Sequence, residues 1–199
     1  MKSKNANNND TKKKSMLRRF CDSTAGVITF CILLFLSIHF LATPVIVVGD
    51  SMNPTYENGN ITLSNRACYK IDEPKRFDVV VFNLNGSGNG LERITSGNAF
   101  YLIKRVIGLP GETIRIDEAG TIYIDGKALD ENYGAETIKD PGRAIDEIVL
   151  GDDEYFVLGD NRNDSADSRL KEVGSVEKEQ IVGKVVFSVP NLKVYTKGK

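Results

Sequence analysis

The sequence predicts a mainly β domain over residues 49–199, preceded by one N-terminal membrane-spanning helix. Three observations carry that expectation. A long uncharged apolar run sits near the start of the chain. Six short β-branched or aromatic runs follow it, each bounded by turn residues, and no amphipathic pattern of helical length lies between them. With 199 residues, 41% hydrophobic and 27% charged, the chain can bury a core and has room for one domain with an appendage.

Residues 1–22 are polar and basic. Lys2, Lys4, Lys12, Lys13, Lys14, Arg18 and Arg19 stand against Asp10 and Asp22, a local charge of +5. The Asn-rich stretch from Asn5 to Asn9 has no periodicity and predicts a disordered tail. Residues 23–48 carry no formal charge and predict a transmembrane signal-anchor helix. A cleaved signal peptide also begins with a basic flank, but its apolar region is usually only about 7–15 residues. Here the run is longer, and Leu41-Ala42-Thr43 is a poor small-x-small cleavage site. Pro44 predicts the end of the helix, or a kink, near the far interface. The basic tail places the N-terminus in the cytoplasm and residues 49–199 outside, as a single-pass protein of the cell membrane.

In the outer part the runs are 78–82, 101–107, 113–116, 121–124, 154–158 and 183–187. Asn85-Gly86, Pro110-Gly111, Asp125-Gly126, Pro141-Gly142 and Asp160-Asn161 supply the turns. Residues 113–124 read as a hairpin around Glu118–Gly120, and Val176–Gln180 as a turn. Residues from about 113 to 150 are more polar and turn-rich, and predict an insertion.

Composition removes several chemistries. The only histidine, His39, lies inside the apolar run, so the outer domain holds neither a Ser-His-Asp triad nor a Cys-His pair. Past that run Cys68 is the only cysteine, which leaves no zinc site and no internal disulfide there. A net charge of -1 argues against a nucleic-acid binder that works by bulk electrostatics. A hydrolase in this chain must take its base from Lys, Asp or Glu.

Three polar segments remain. Gly49-Asp50-Ser51-Met52-Asn53-Pro54-Thr55 reads either as a nucleophilic serine on a turn, with its own N–H as oxyanion donor, or as an ordinary polar turn. In Leu102-Ile103-Lys104-Arg105-Val106-Ile107, strand alternation puts Lys104 on a face with Leu102 and Val106. A lysine there either snorkels to solvent or is a buried amine whose lowered pKa makes it a usable base. The run from Gly159 to Arg169 is dense in short hydrogen-bonding side chains. It lacks the sixth-position glycine of a calcium loop, and Arg162 stands where an oxygen ligand is needed. A polar loop that buttresses a site fits it better than a metal site.

Taken together, these segments resemble the bacterial type I signal peptidases, membrane-bound serine proteases with a Ser-Lys dyad. Gly49–Thr55 matches the nucleophile box, Arg76–Phe82 the following strand box, Tyr101–Glu112 the lysine box and Gly159–Arg169 the last box. The resemblance covers the anchor and nearly all of the outer domain. It implies an antiparallel β fold with a small inserted cap, Ser51 as nucleophile and Lys104 as general base. It implies that Ser165 orients the Lys104 amine, and that Arg105, Asp160, Asp167 and Arg169 brace the site. Met52, Asp78, Val80 and Phe82 are expected to shape the cleft, the substrate pairing with the strand edge of 78–82. Some family members carry a serine hydroxyl two residues before the nucleophile as a further oxyanion donor; here that position is Gly49. The single anchor and compact insertion resemble the smaller form typical of Gram-positive bacteria.

The implied reaction is removal of signal peptides from secretory preproteins after a small-x-small motif, at the membrane face, by a monomer without cofactor or metal. Two other readings stay open: a self-cleaving Ser-Lys regulator, disfavoured by the lack of a DNA-binding segment, and a non-catalytic membrane-tethered β module that binds peptides.

Overall fold

The computed structural model describes residues 24–84 and 101–190. The polar tail and the Asn85-Gly86 turn lie outside these residues. One helix, α1 (Thr24–Leu41), opens the described chain. The strands follow: β1 (Ala42–Ile46), β2 (Ile61–Asn65), β3 (Val79–Asn83), β4 (Tyr101–Gly108), β5 (Thr113–Ile116), β6 (Ile122–Ile124), β7 (Lys127–Ala128), β8 (Ile148–Val149), β9 (Glu154–Leu158), β10 (Val176–Glu177) and β11 (Ile181–Val189).

The helix departs from expectation. It ends at Leu41, three residues before Pro44, and Ala42–Ile46 are extended. No helix among the described residues is long and apolar enough to cross a membrane. At about 1.5 Å per residue, 18 residues reach only about 27 Å against a hydrocarbon core of about 30 Å. Pro44 biases Thr43 away from helix, and the β-branched Val45, Ile46, Val47 and Val48 favour an extended chain. β1 instead pairs antiparallel with β2, Pro44 opposite Leu63. Proline is tolerated there because β1 is an edge strand.

The main sheet has the order β1-β2-β11-β3-β4-β9-β10, and every pairing in it is antiparallel. A second sheet, β7-β6-β5-β8, is built from residues 113–149. Its β6–β7 turn is Asp125-Gly126, both at positive φ (49° and 75°). Asp-Gly suits such a tight hairpin because both positions visit the left-handed region at little cost.

Three apolar clusters hold these layers. Ile107, Ile114, Ile116, Ile122, Ile124, Phe156 and Leu158 join the second sheet to β4 and β9. Val79 and Val81 of β3 pack with Val47, Met52, Ile103 and Val185. Val80 and Phe82 point to the opposite face, against Val106, Tyr155, Val157 and Val176. Each such side chain, fully buried, contributes on the order of 1.5–3 kcal/mol.

Candidate active site

Ser51 sits on a closed loop between β1 and β2. The Val47 N–H donates to the Asn60 carbonyl, and the Gly59 N–H donates to the Val47 carbonyl at 2.8 Å. The Asn53 N–H returns to the Asp50 carbonyl and the Tyr56 N–H to the Met52 carbonyl, which fixes the turn. Met52 is 1% exposed and anchors the turn in the second cluster.

Lys104 Nζ lies 2.7 Å from Ser51 Oγ and donates to the Ile103 carbonyl at 3.0 Å. Strand alternation is as the sequence predicts: Leu102 and Val106 belong to one apolar cluster, and Lys104 is 2% exposed. Burial lowers the Lys104 pKa to about 8, opposed in part by the carboxylates of Asp167 and Asp160. A buried amine in contact with a hydroxyl can accept its proton near neutral pH. The Ser51 N–H is taken by no hydrogen bond among the described residues, which leaves it free to meet a developing oxyanion. The Gly49 N–H donates to Asn58 Oδ1 at 3.3 Å.

The loop 159–169 supports the turn from below. The Asn161 N–H donates to the Ser51 carbonyl at 3.1 Å, and its side-chain amide to the Asp50 carbonyl at 3.2 Å. Gly159 lies so close that a Cβ there would stand 2.5 Å from the Ser51 carbonyl oxygen and 2.2 Å from Ser165 Oγ. Only glycine permits that approach.

Two buried ion pairs flank it. Arg105 grips Asp160 with both arms, at 2.8 Å and 2.6 Å, and donates to the Phe77 carbonyl at 2.9 Å. Thr55 Oγ1 donates to Asp160 Oδ2, tying the nucleophile loop to the same carboxylate. Arg169 holds Asp167 at 2.8 Å and 2.9 Å, and Asp167 also accepts the Gly159 N–H at 3.1 Å. Buried charges that are paired and fully hydrogen-bonded escape the penalty of unpaired ones.

Three expected placements fail. Ser165 does not bond the Lys104 amine; its Oγ is buried and has no partner, because it is turned towards Gly159. The strand edge of 78–82 is not free: β3 runs between β11 and β4. Asp78 is engaged by Tyr69 Oη at 2.9 Å and Lys184 Nζ at 2.6 Å, while Val80 and Phe82 are fully buried on the face away from Met52. Of the expected cleft residues, only Met52 lines the cavity beside the dyad. That cavity, of about 450 Å³, lies between Val45–Val48 and Tyr101–Lys104, with Ser51 in its wall.

The model of the signal peptidase, peptidase S26, family matches residues 21–190. The chain belongs to that family. The probable signal peptidase I-2 of Synechocystis is 35% identical over 160 residues, covering 79% of this chain and 68% of that one. Signal peptidase I S of Bacillus subtilis is 34% identical over 195 residues, covering 94% of both. Signal peptidase IB of Staphylococcus aureus is 33% identical over 171 residues, covering 78% of this chain and 82% of that one. As a signal peptidase, the chain is a serine peptidase that processes signal peptides.

Two residues at the site of this signal peptidase, Glu131 and Tyr133, carry no local signal in the sequence. Arg162 donates to the Gly159 carbonyl at 3.1 Å and pairs with Glu131 at 2.7 Å. The Tyr133 ring lies 3.9 Å from the Arg105 guanidinium carbon. Both partners come from the turn-rich stretch after β7, and only the tertiary fold brings them to the site.

Proposed function

We propose that Ser51 is the nucleophile and Lys104 the general base of a signal peptidase that cuts preproteins after a small-x-small motif. The observation that carries this reading is the 2.7 Å contact between a buried lysine amine and a serine hydroxyl. With a pKa of about 8, about one-tenth of Lys104 is neutral at pH 7. Neutral Lys104 takes the Ser51 proton as Oγ attacks the scissile carbonyl. The Ser51 N–H stabilises the oxyanion. The lysine then protonates the departing amine of the mature protein, and an acyl-enzyme on Ser51 remains. Lys104 next takes a proton from water as the water oxygen attacks the ester, then returns that proton to Ser51 Oγ as the ester bond breaks, which frees the signal peptide's carboxyl end and restores the neutral amine.

The signal peptide binds extended in the cleft between Val45–Val48 and Tyr101–Lys104. The cleft is lined by buried Val47, Met52 and Ile103, an apolar wall that suits small apolar side chains at the positions flanking the cut. One chain supplies both dyad members, so a monomer suffices. The apolar helix α1 (Thr24–Leu41) holds the protein at the bilayer, N-terminus in the cytoplasm. Supporting this, Val27, Ile28, Phe30, Leu33 and Phe35 of α1 are all exposed, an apolar surface on every side that suits lipid.

The test is cleavage of a preprotein by the full chain in lipid, with the new N-terminus mapped by mass spectrometry. Ser51→Ala and Lys104→Ala should each abolish a single cut after a small-x-small triplet, a loss of about 10⁴-fold or more. A cut that survives Lys104→Ala removes the lysine from the mechanism.

A further inference from the structure

We propose that Tyr133 and Glu131 are positioning residues for the reaction: through them the segment 131–143 clamps the loop 159–169 that carries the Ser51 turn. This rests on the Ser51–Lys104 reading above.

The segment follows the second sheet's β7 and has no regular structure until a 3-10 turn at Gly142–Ile145. It meets the loop 159–169 at Asp160, Arg162, Asn163 and Arg169. The Ala135 N–H donates to the Asp160 carbonyl at 3.0 Å. Asn163 is clasped, its amide donating to the Thr137 carbonyl at 3.0 Å and its oxygen accepting the Lys139 N–H at 3.0 Å. Arg169 donates to the Asp140 carbonyl at 3.1 Å, and its own carbonyl accepts the Arg143 N–H at 2.9 Å.

Two side chains reach deeper. Tyr133 stacks on the Arg105 guanidinium and packs on Phe77, ring centroids 4.9 Å apart. Arg105 is the residue that holds Asp160, so the cation–π contact with the ring steadies one member of a buried ion pair. Glu131 fixes Arg162, whose Nε holds the Gly159 carbonyl while its Nη2 is buried without a partner. Burial would push the Glu131 carboxyl up, but the hydrogen bond and charge of Arg162, together with the Tyr133 and Gly134 N–H groups, hold it low. A continuous chain of contacts thus runs from Glu131 through Arg162 and Gly159 to the Ser51 carbonyl. Neither Tyr133 nor Glu131 lines the substrate cleft. Loosening them therefore misaligns Ser51 against Lys104 and leaves binding alone, and small misplacements of reacting groups are costly.

Steady-state kinetics of the full chain in lipid on a preprotein, with a thermal melt of each variant, test this. Tyr133→Ala and Glu131→Gln are expected to lower kcat about tenfold with KM unchanged. Tyr133→Phe keeps the ring over Arg105 and is expected to retain the parent kcat. Parent kcat in folded Tyr133→Ala or Glu131→Gln overturns the proposal, as does a KM that rises in proportion to the loss. If Tyr133→Ala does not fold, Tyr133→Leu, which keeps apolar cover without the ring, carries the same prediction. Full kcat in these variants beside an inactive Ser51→Ala sinks only this inference; an active Ser51→Ala sinks the dyad itself.

Discussion

The two halves of β4 have the same kind of sequence and opposite duties. Among the described residues, Tyr101–Lys104 pair with β3 alone, whereas Arg105 is paired on both sides and the strand runs on along β9 to Gly108. The first half lines the cleft, and Tyr101 is 36% exposed there. The second half is locked: Val106 and Ile107 are fully buried, and Arg105 grips Asp160. Lys104 is the last residue of the open half. It is therefore held by a rigid neighbour while its amine faces the cavity with Ser51. On the proposed mechanism, a strand that changes from edge to interior within one residue would give a substrate a backbone to pair with and the base a fixed mount.

Breaking the locked half should have the largest effect. Arg105→Ala leaves the Asp160 carboxylate, which is fully buried, without its partner. Removing one member of a buried pair costs about 3–5 kcal/mol. Arg105→Lys restores a charge but not the two-armed grip, so it should recover only part of that loss. Urea unfolding of the three proteins measures this; a loss below about 1 kcal/mol for Arg105→Ala would mean that the strand ladder alone locks this half.

The junction comes next. The folded pKa of Lys104, about 8, lies below its ordinary value of 10.5, so the amine is more easily deprotonated when folded. Below pH 8 both states are protonated, and the full burden of the buried charge is present. As pH rises from 8 towards 10.5, the unfolded chain binds more protons and stability increases, by up to about 3 kcal/mol. Over acidic pH, kcat/KM should fall about tenfold per unit below pH 8, as the neutral amine is depleted. Lys104→Met should flatten the dependence of the melting temperature on pH across 8–10.5. A pH–rate profile that is flat from 6 to 9 would sink the lysine base.

How much of this was legible follows the range of each contact. Strand alternation is local, so the apolar face around Lys104 is readable from Leu102 and Val106. The runs that became β3, β4, β5, β6, β9 and β11 are dense enough in β-branched and aromatic residues to stand out. β2 is not: Ile61-Thr62-Leu63-Ser64-Asn65 is half polar, and its partner β1 is contiguous in sequence with an apolar helix, so one long apolar run hides a helix and a strand. That β3 is interior depends on β11, which arrives about a hundred residues later, and no feature of Val79–Asn83 announces it. The polar brace is partly legible, because Asp160, Asp167 and Arg169 share one segment, while Tyr133 and Glu131 reach it only through the fold. Ser165 shows the limit of resemblance: its hydroxyl is at the site, yet it faces Gly159 and not the amine.

Disturbing the open half should do least to the fold and most to binding. Tyr101 opens β4, is partly exposed, and lines the cavity three residues before Lys104. Its removal leaves no buried charge and no deep cavity, so Tyr101→Ala should cost less than about 1 kcal/mol. On the proposed binding mode, the ring walls the groove in which the extended peptide lies. Substrate held along that edge loses contact area in both ground and transition states, which raises KM severalfold and leaves kcat alone. Melts and steady-state kinetics on the same preprotein separate the outcomes. A large drop in melting temperature would show that the open half is also structural. A fall in kcat at constant KM would mean that Tyr101 acts on the dyad, and the division of β4 at Lys104 would fail.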